Sequence, residues 1–497
     1  MSGPAAGEEG GGSDKKDELV FNVGDTIHGY KIVKKIDEGG FGQVFKVTDK
    51  KQDVFAMKVE PSAQEGGSAI KLEVHVLQNL PTDSVFPRMV LGGRKRLFHY
   101  MVLELLGDNL RTLKARSTNP EVWSDGTWSR VGIQCLYALK VMHNYGFVHR
   151  DVKPNNFAIG INTATEIRNR RIMLFDFGLA RRFVKQVPVA PAKRLPSTAI
   201  TARTTATTTT TKTKMGGSSK PKKTENNGTK KQKESKEKVM GRLKLPSGAG
   251  QKIGTTVYEF RIARPHTDFR GTQQYASPNA HAQLELGRHD DIWSLMYMIA
   301  EMFVELPWAF NDSMSVEDFK KQYDLPRIFC DAEKNAGMRG QLEKIDSMLK
   351  SKNYYEHPDY ECVQQFLKDV MTRARVGWED PYDWETNSKS AEVVGVVKKA
   401  PSTVKITGNE WETPGEFFKT DMWARLKMPS YSMEMAEKKR LAASRADRGK
   451  QQLSHEQISA NQDEELKMVK TPTGKSLKKM TSVGNLSSNE FAPSKRK

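Results

Sequence analysis

Two short segments restrict this chain more than any other feature: His149-Arg150-Asp151-Val152-Lys153-Pro154-Asn155-Asn156 and, 25 residues after Asp151, Asp176-Phe177-Gly178. The first gathers a carboxylate, an ammonium and an amide within one turn-sized stretch. The second adds a carboxylate directly after the apolar run Ile172 to Phe175, which reads as a strand. Such groups suit phosphoryl transfer, which asks for positioning and charge neutralisation more than for covalent chemistry. Asp151 can orient the proton of an attacking hydroxyl, and Lys153 can neutralise the moving phosphoryl group. Asn156 and Asp176 offer oxygens to a magnesium ion that bridges phosphates. An accidental loop with this content and spacing is improbable.

Upstream, Glu38-Gly39-Gly40-Phe41-Gly42-Gln43-Val44 lies between two strand-like runs, Tyr30 to Ile36 and Gln43 to Thr48. Small residues there let backbone amides approach phosphate oxygens, although a glycine-rich hairpin alone is weak evidence. A third strand-like run, Val54 to Val59, contains Ala56 and Lys58. Glu73 follows Lys58 by fifteen residues on a helical stretch, Ala69 to Leu80, and can hold the ammonium against the α- and β-phosphates. Phe98 to Leu105 reads as a further strand. Beyond Gly107 the pattern turns helical, at Trp128–Tyr145 (capped near Thr127), Asp290–Glu305, Val316–Tyr323, 337–350 and Tyr360–Ala374. The implied fold class is α+β: a small β-rich lobe with one main helix, then a larger, mainly helical lobe.

Charge separates the remaining segments. The chain carries a net +19, and residues 185–252 hold 17 Lys and Arg against 3 acids, so +14 belongs to that stretch. Its twelve threonines and scarcity of large apolar side chains leave little to offset ordering entropy, so a disordered insert is expected. Residues 1–22 read as a disordered leader and 387–497 as a basic, largely disordered tail with one helical stretch at Ser432–Gln452. Nothing resembles a signal peptide or a membrane span. Cys135, Cys330 and Cys362 form no CxxC pair and read as buried thiols of a reducing compartment. The lysines of the insert lack interleaved aromatic residues, which argues against nucleic acid.

With the glycine-rich loop, Lys58, Glu73, Asp151 and Asp176 in this order, the chain resembles a eukaryotic protein kinase of the serine/threonine branch, which Lys153 favours. Phe269-Arg270-Gly271-Thr272, Tyr275-Ala276-Ser277-Pro278-Asn279-Ala280-His281 and Gly287-Arg288-His289-Asp290-Asp291-Ile292-Trp293-Ser294-Leu295 resemble the casein kinase 1 group, and within it the tau-tubulin kinase family. The likeness runs from about residue 26 to 386, the insert excepted.

The resemblance implies a bilobal kinase domain over 23–386 with the insert inside its activation segment. It implies ATP and Mg²⁺ as cofactors, and serine or threonine of proteins as acceptors. Glu104, Leu105 and Leu106 would form the hinge that grips adenine, with Leu103 behind and Val44 and Ala56 packed on the ring. Asp291 would tether the loop around Asp151, and Thr272 would sit in the substrate cleft. A monomer is expected, cytoplasmic, with weak nuclear-import-like runs at Lys220-Pro221-Lys222-Lys223 and Lys495-Arg496-Lys497.

Two departures stand out. Asp37 occupies the position of the first glycine of the family loop, and 95 residues separate Asp176 from Gly271. They support two rival readings: a pseudokinase scaffold, and a cytoskeleton-binding protein that docks acidic partners through the insert and tail.

Overall fold

In the first lobe, apolar residues at every second position drive strand formation, because alternate side chains of a strand share a face. The computed structural model of the protein describes residues 20–39, 42–62, 67–82, 85–162, 167–188, 256–311, 313–330, 337–385 and 409–440. Strands β1 (Thr26–Ile27), β2 (Tyr30–Gly39), β3 (Gly42–Thr48) and β4 (Val54–Pro61) are followed by helix α1 (Ala69–Asn79), then β5 (Met89–Arg94) and β6 (Phe98–Glu104). They form one antiparallel sheet in the order β1-β2-β3-β4-β6-β5. Ile32, Phe45, Val47, Met57, Val59 and Val102 pack together on its outer face. Phe21 meets Phe45 and Phe98 edge-on at 5.7 and 5.1 Å, so the lobe begins inside the expected 1–22 leader.

The second lobe contains α2 (Leu110–Arg116), α3 (Asp125–Asn144), β7 (Phe147–Val148), a 3-10 turn (Pro154–Asn156), β8 (Phe157–Ile159), β9 (Ile172–Leu174) and β10 (Arg181–Arg182). It continues through β11 (Val184–Pro188), β12 (Thr256–Phe260), α4 (Pro278–His281), α5 (Arg288–Glu301), α6 (Val316–Gln322), α7 (Leu325–Cys330), α8 (Arg339–Ser351) and α9 (Tyr360–Arg373). The α+β, two-lobed expectation is borne out.

Helix α3 is the central post, buried from Gly126 to Asn144. Trp128 stacks on Phe303 at 4.6 Å, and Gly132 leaves room for Leu367 of α9 and Ile299 of α5. Its cap is Ser124, not a residue near Thr127. The Ser124 Oγ accepts from Thr127 N, while the Asp383 carboxylate accepts from Ser124 N at 2.6 Å and from its Oγ at 2.7 Å. A carboxylate 259 residues away thus fixes a helix start that local pattern alone misplaces.

Two domain boundaries also move. Val184–Pro188 pairs antiparallel with Thr256–Phe260, so residues 185–188 belong to a ladder and not to the insert; residues 189–255 lie outside the described residues. The expected end at 386 is too early. Residues 409–430 return to the helical lobe and bury Trp411, Phe418 and Trp423, which makes them part of the domain and not a disordered tail. Of the expected helix at Ser432–Gln452, residues 431–440 are described and are helical; they belong to a separate unit of the chain. Among the described residues no helix is long and apolar enough to cross a membrane. Cys135 is buried as expected, whereas Cys362 is only half-buried.

Lys140, in the interior of α3, donates to Asn144 Oδ1 at 2.7 Å and to the Thr420 carbonyl at 2.5 Å, with the Tyr360 ring 4.9 Å away. Burial presses its ammonium from the ordinary 10.5 down to about 7, with Asp421 opposing and Arg288 adding to the depression. The unfolded chain therefore binds more protons between pH 7 and 10.5, and this group's contribution to stability grows with pH across that window. Melting curves from pH 6.5 to 9.5 are expected to rise less steeply for Lys140→Met than for the parent protein. Parallel curves would exclude Lys140 as the titrating group.

Candidate active site

Strand register alone brings four of the expected residues to one face. Val44 pairs with Lys58 across β3 and β4, and Ala56 with Leu103 across β4 and β6. Paired residues and residues two apart share a face, so all four look into the cleft between the lobes. Gly39 pairs with Gly42; Gly40 and Phe41, between them, lie outside the described residues. Gly42 has φ +119°, and a Cβ there would sit 2.0 Å from the Val59 carbonyl oxygen, so no other residue fits.

Lys58 Nζ pairs with Glu73 Oε1 and lies 3.0 Å from Asp176 Oδ1. Burial disfavours its charge, but the two carboxylates outweigh burial and lift the ammonium above its ordinary value. Burial pushes Glu73 up to about 7, against the pull of Lys58. At Asp176 burial again opposes ionisation, yet Lys58, His149 and Lys153 hold the carboxyl below its usual range. The site thus gathers one cation and two acids in a mostly dry setting.

Glu60 was not foreseen. Fully buried, it accepts from Ala69 N at 3.1 Å and Ile70 N at 2.8 Å, and from Ser68 Oγ at 3.1 Å. A carboxylate at a helix start satisfies otherwise unpaired amides and complements the helix dipole. It therefore aims α1, and with it Glu73, at Lys58. The available signal was an acid two residues beyond Lys58, on the same strand face.

Around Asp151 the contacts are dense. Its Oδ1 accepts from both Thr272 N and Thr272 Oγ1 at 2.9 Å, while Oδ2 lies 2.7 Å from Lys153 Nζ. Lys153 also donates to Thr272 Oγ1 at 3.1 Å. Asn156 gives its amide N–H groups to the Asp151 carbonyl and carboxylate at 2.8 and 3.3 Å, which leaves its amide oxygen for a cation. The loop is held from behind by Asp291, buried on α5, which accepts from His149 N at 2.7 Å and Arg150 N at 2.8 Å. Arg150 and Asp176 have φ of +69° and +64°, a conformation costly for side-chain-bearing residues that persists only where surroundings enforce it.

Lys58, Glu73, Lys153, Asn156, Asp176 and Thr272 line a cavity of about 520 Å³ between the lobes, along with Asp37, Leu106 and Gly107. That size suits a nucleotide-like ligand. Glu104 turns its carboxylate to Arg168, 3.1 Å away, so at the hinge it is backbone that faces the cavity. A carboxylate from Asp176 and an amide oxygen from Asn156 are hard donors that fit Mg²⁺, which takes few protein ligands and completes its shell with phosphates and water. Among the described residues no group of three or more His, Cys, Asp or Glu offers a site for a metal held by protein alone.

Residues 30–208 match the family model described as protein kinase domain. A probable serine/threonine-protein kinase of Dictyostelium discoideum is 31% identical over 75% of this chain, which spans 60% of that relative's length. An inactive tau-tubulin kinase of Caenorhabditis elegans is 31% identical, covering 69% of this chain and 96% of its own. A probable casein kinase I homologue of Encephalitozoon cuniculi is 32% identical, covering 69% and 86%. The chain belongs to the serine/threonine protein kinases, in the branch that unites casein kinase I and tau-tubulin kinase relatives.

Proposed function

We propose that this protein is an active kinase that transfers the γ-phosphate of ATP to serine or threonine hydroxyls of proteins. The observation that carries the reading is the contact set in one cleft: Lys58 with Glu73 and Asp176, and Asp151 with Lys153 and Thr272. In this reading Lys58 would grip the α- and β-phosphates, and Asp176 and Asn156 would hold Mg²⁺, which would supply positive charge against the phosphates. Val44, Ala56 and Leu103 flank adenine, while backbone groups at Glu104 and Leu106 bond its edge. Asp151 orients the acceptor hydroxyl, taking the position Thr272 Oγ1 now shares, and Lys153 follows the charge on the transferred group.

The experiment is phosphotransfer from radiolabelled ATP to a Ser/Thr peptide library, with and without Mg²⁺, using the full chain. Transfer dependent on Mg²⁺ supports the reading. Nucleotide binding without transfer would favour the scaffold reading, for which the relative named inactive is the specific reason. Microtubule co-sedimentation of the insert and tail tests the cytoskeletal reading separately.

Asp37 bears on ATP affinity. Asp37 lines the cavity and its Oδ1 accepts from Glu38 N at 2.8 Å, which stiffens the approach to the loop while adding negative charge near the place the phosphates would take. Asp37→Gly is expected to lower the KM for ATP by about two- to fivefold, the effect of one partly screened like-charge contact. An unchanged or higher KM would show that the charge is harmless.

A further inference from the structure

Residues 409–430 contact the ends of two helices, α3 and α5, whose side chains stand behind the loop around Asp151. Trp423, only 4% exposed, donates its indole N–H to the His143 carbonyl at 2.8 Å, at the end of α3. It packs over Gly146, where a Cβ would stand 3.3 Å from the indole, and meets Phe183 and Tyr258 edge-on at 6.0 and 5.6 Å. The side chain of the same His143 lies 2.8 Å from Asp291 through Nε2 and 2.6 Å from the Tyr360 hydroxyl through Nδ1. A carboxylate only accepts, so Nε2 carries the proton and Nδ1 accepts from Tyr360. Two residues before Trp423, Asp421 pairs with buried Arg288 at 3.1 Å, at the start of the helix that carries Asp291.

We infer that residues 409–430 form a positioning strap for the catalytic loop, in which Trp423 and Asp421 fix the helix ends that carry His143 and Asp291, and Asp291, bonded to His143, holds the backbone of His149 and Arg150. The strap reaches neither nucleotide nor acceptor. Its effect must therefore fall on the rate of transfer and not on ATP binding: loosening it lets the loop leave the strained geometry that aims Asp151, while Lys58 and the hinge stay in place. The inference rests on the kinase reading only for its kinetic consequence, since the loop's anchoring can be measured without turnover.

The test uses the full chain with Trp423→Phe, which keeps an aromatic side chain while removing the indole N–H donor and some bulk, and Asp421→Asn as a second, milder lesion. Amide hydrogen exchange at His149 and Arg150, melting temperature, kcat and the KM for ATP are read on each. The expected result is faster exchange at those two amides in both variants and a kcat reduced about tenfold in Trp423→Phe, as for one lost hydrogen bond. The KM should stay near that of the parent, and the melting temperature should fall by no more than a few degrees. Unchanged exchange at His149 and Arg150, or loss spread evenly over the domain, would overturn the strap. Absence of turnover in the parent itself would sink the kinase reading instead, while the exchange data would still judge the strap.

Discussion

Asp151→Asn is expected to lower kcat for peptide phosphorylation about a thousandfold, within the range a positioned proton acceptor supplies. The isosteric amide can still accept from Thr272 N, so the loop should keep its shape and the melting temperature should move by only a few degrees. What is lost is the second oxygen, which now lies 2.7 Å from Lys153 Nζ. An amide there neither draws that ammonium toward the acceptor site nor takes a proton. The KM for ATP should change little, because the phosphate-binding contacts run through Lys58 and the glycine-rich loop. The check is steady-state kinetics beside a nucleotide-binding titration. If Asp151→Asn transferred phosphate at the parental rate, Asp151 would have no part in the chemistry and the proposed mechanism would fail.

The candidate site was legible because its residues come in short contiguous runs whose spacing reflects local geometry. The sequence 149–156 is one loop and 176–178 another, and they bring Lys153, Asn156 and Asp176 to the cleft; strand register and α1 bring Lys58 and Glu73 to it. What escaped sequence reasoning depends on long-range contacts. Trp411 and Trp423 lie in a tail that is polar and basic as a whole, although 409–430 itself holds three Lys and Arg against four acids and lacks amphipathic period. Their burial follows from partners such as His143, 280 residues earlier. Ser124 starts α3 because Asp383 holds it, and Glu60 is buried because a helix end lies opposite. Val184–Pro188 carries a lysine and a glutamine, so composition assigned most of it to the insert. Only its pairing with Thr256–Phe260 reveals a ladder.

Asp291 is the position where one substitution should do most damage to the fold. Its carboxylate accepts two backbone N–H groups and one imidazole N–H, the Arg150 bond part-buried and the other two buried, and thereby holds Arg150 at positive φ. Asp291→Ala removes all three bonds and leaves the donors without water, so a loss of about 3–5 kcal/mol is expected from denaturant unfolding at pH 7. Titration gives an independent handle. Burial works against the charge, but His143 and His149 hold the Asp291 carboxyl below its ordinary 3.8. Because the folded value is the lower one, its contribution is complete above the unfolded value and disappears as pH falls through the folded one. The parent protein should therefore lose stability steeply below about pH 4, whereas Asp291→Asn, uncharged throughout, should start lower and follow a shallower acid profile. Equal acid profiles, or a loss under about 1 kcal/mol for Asp291→Ala, would mean that some other contact holds His149 and Arg150 in place.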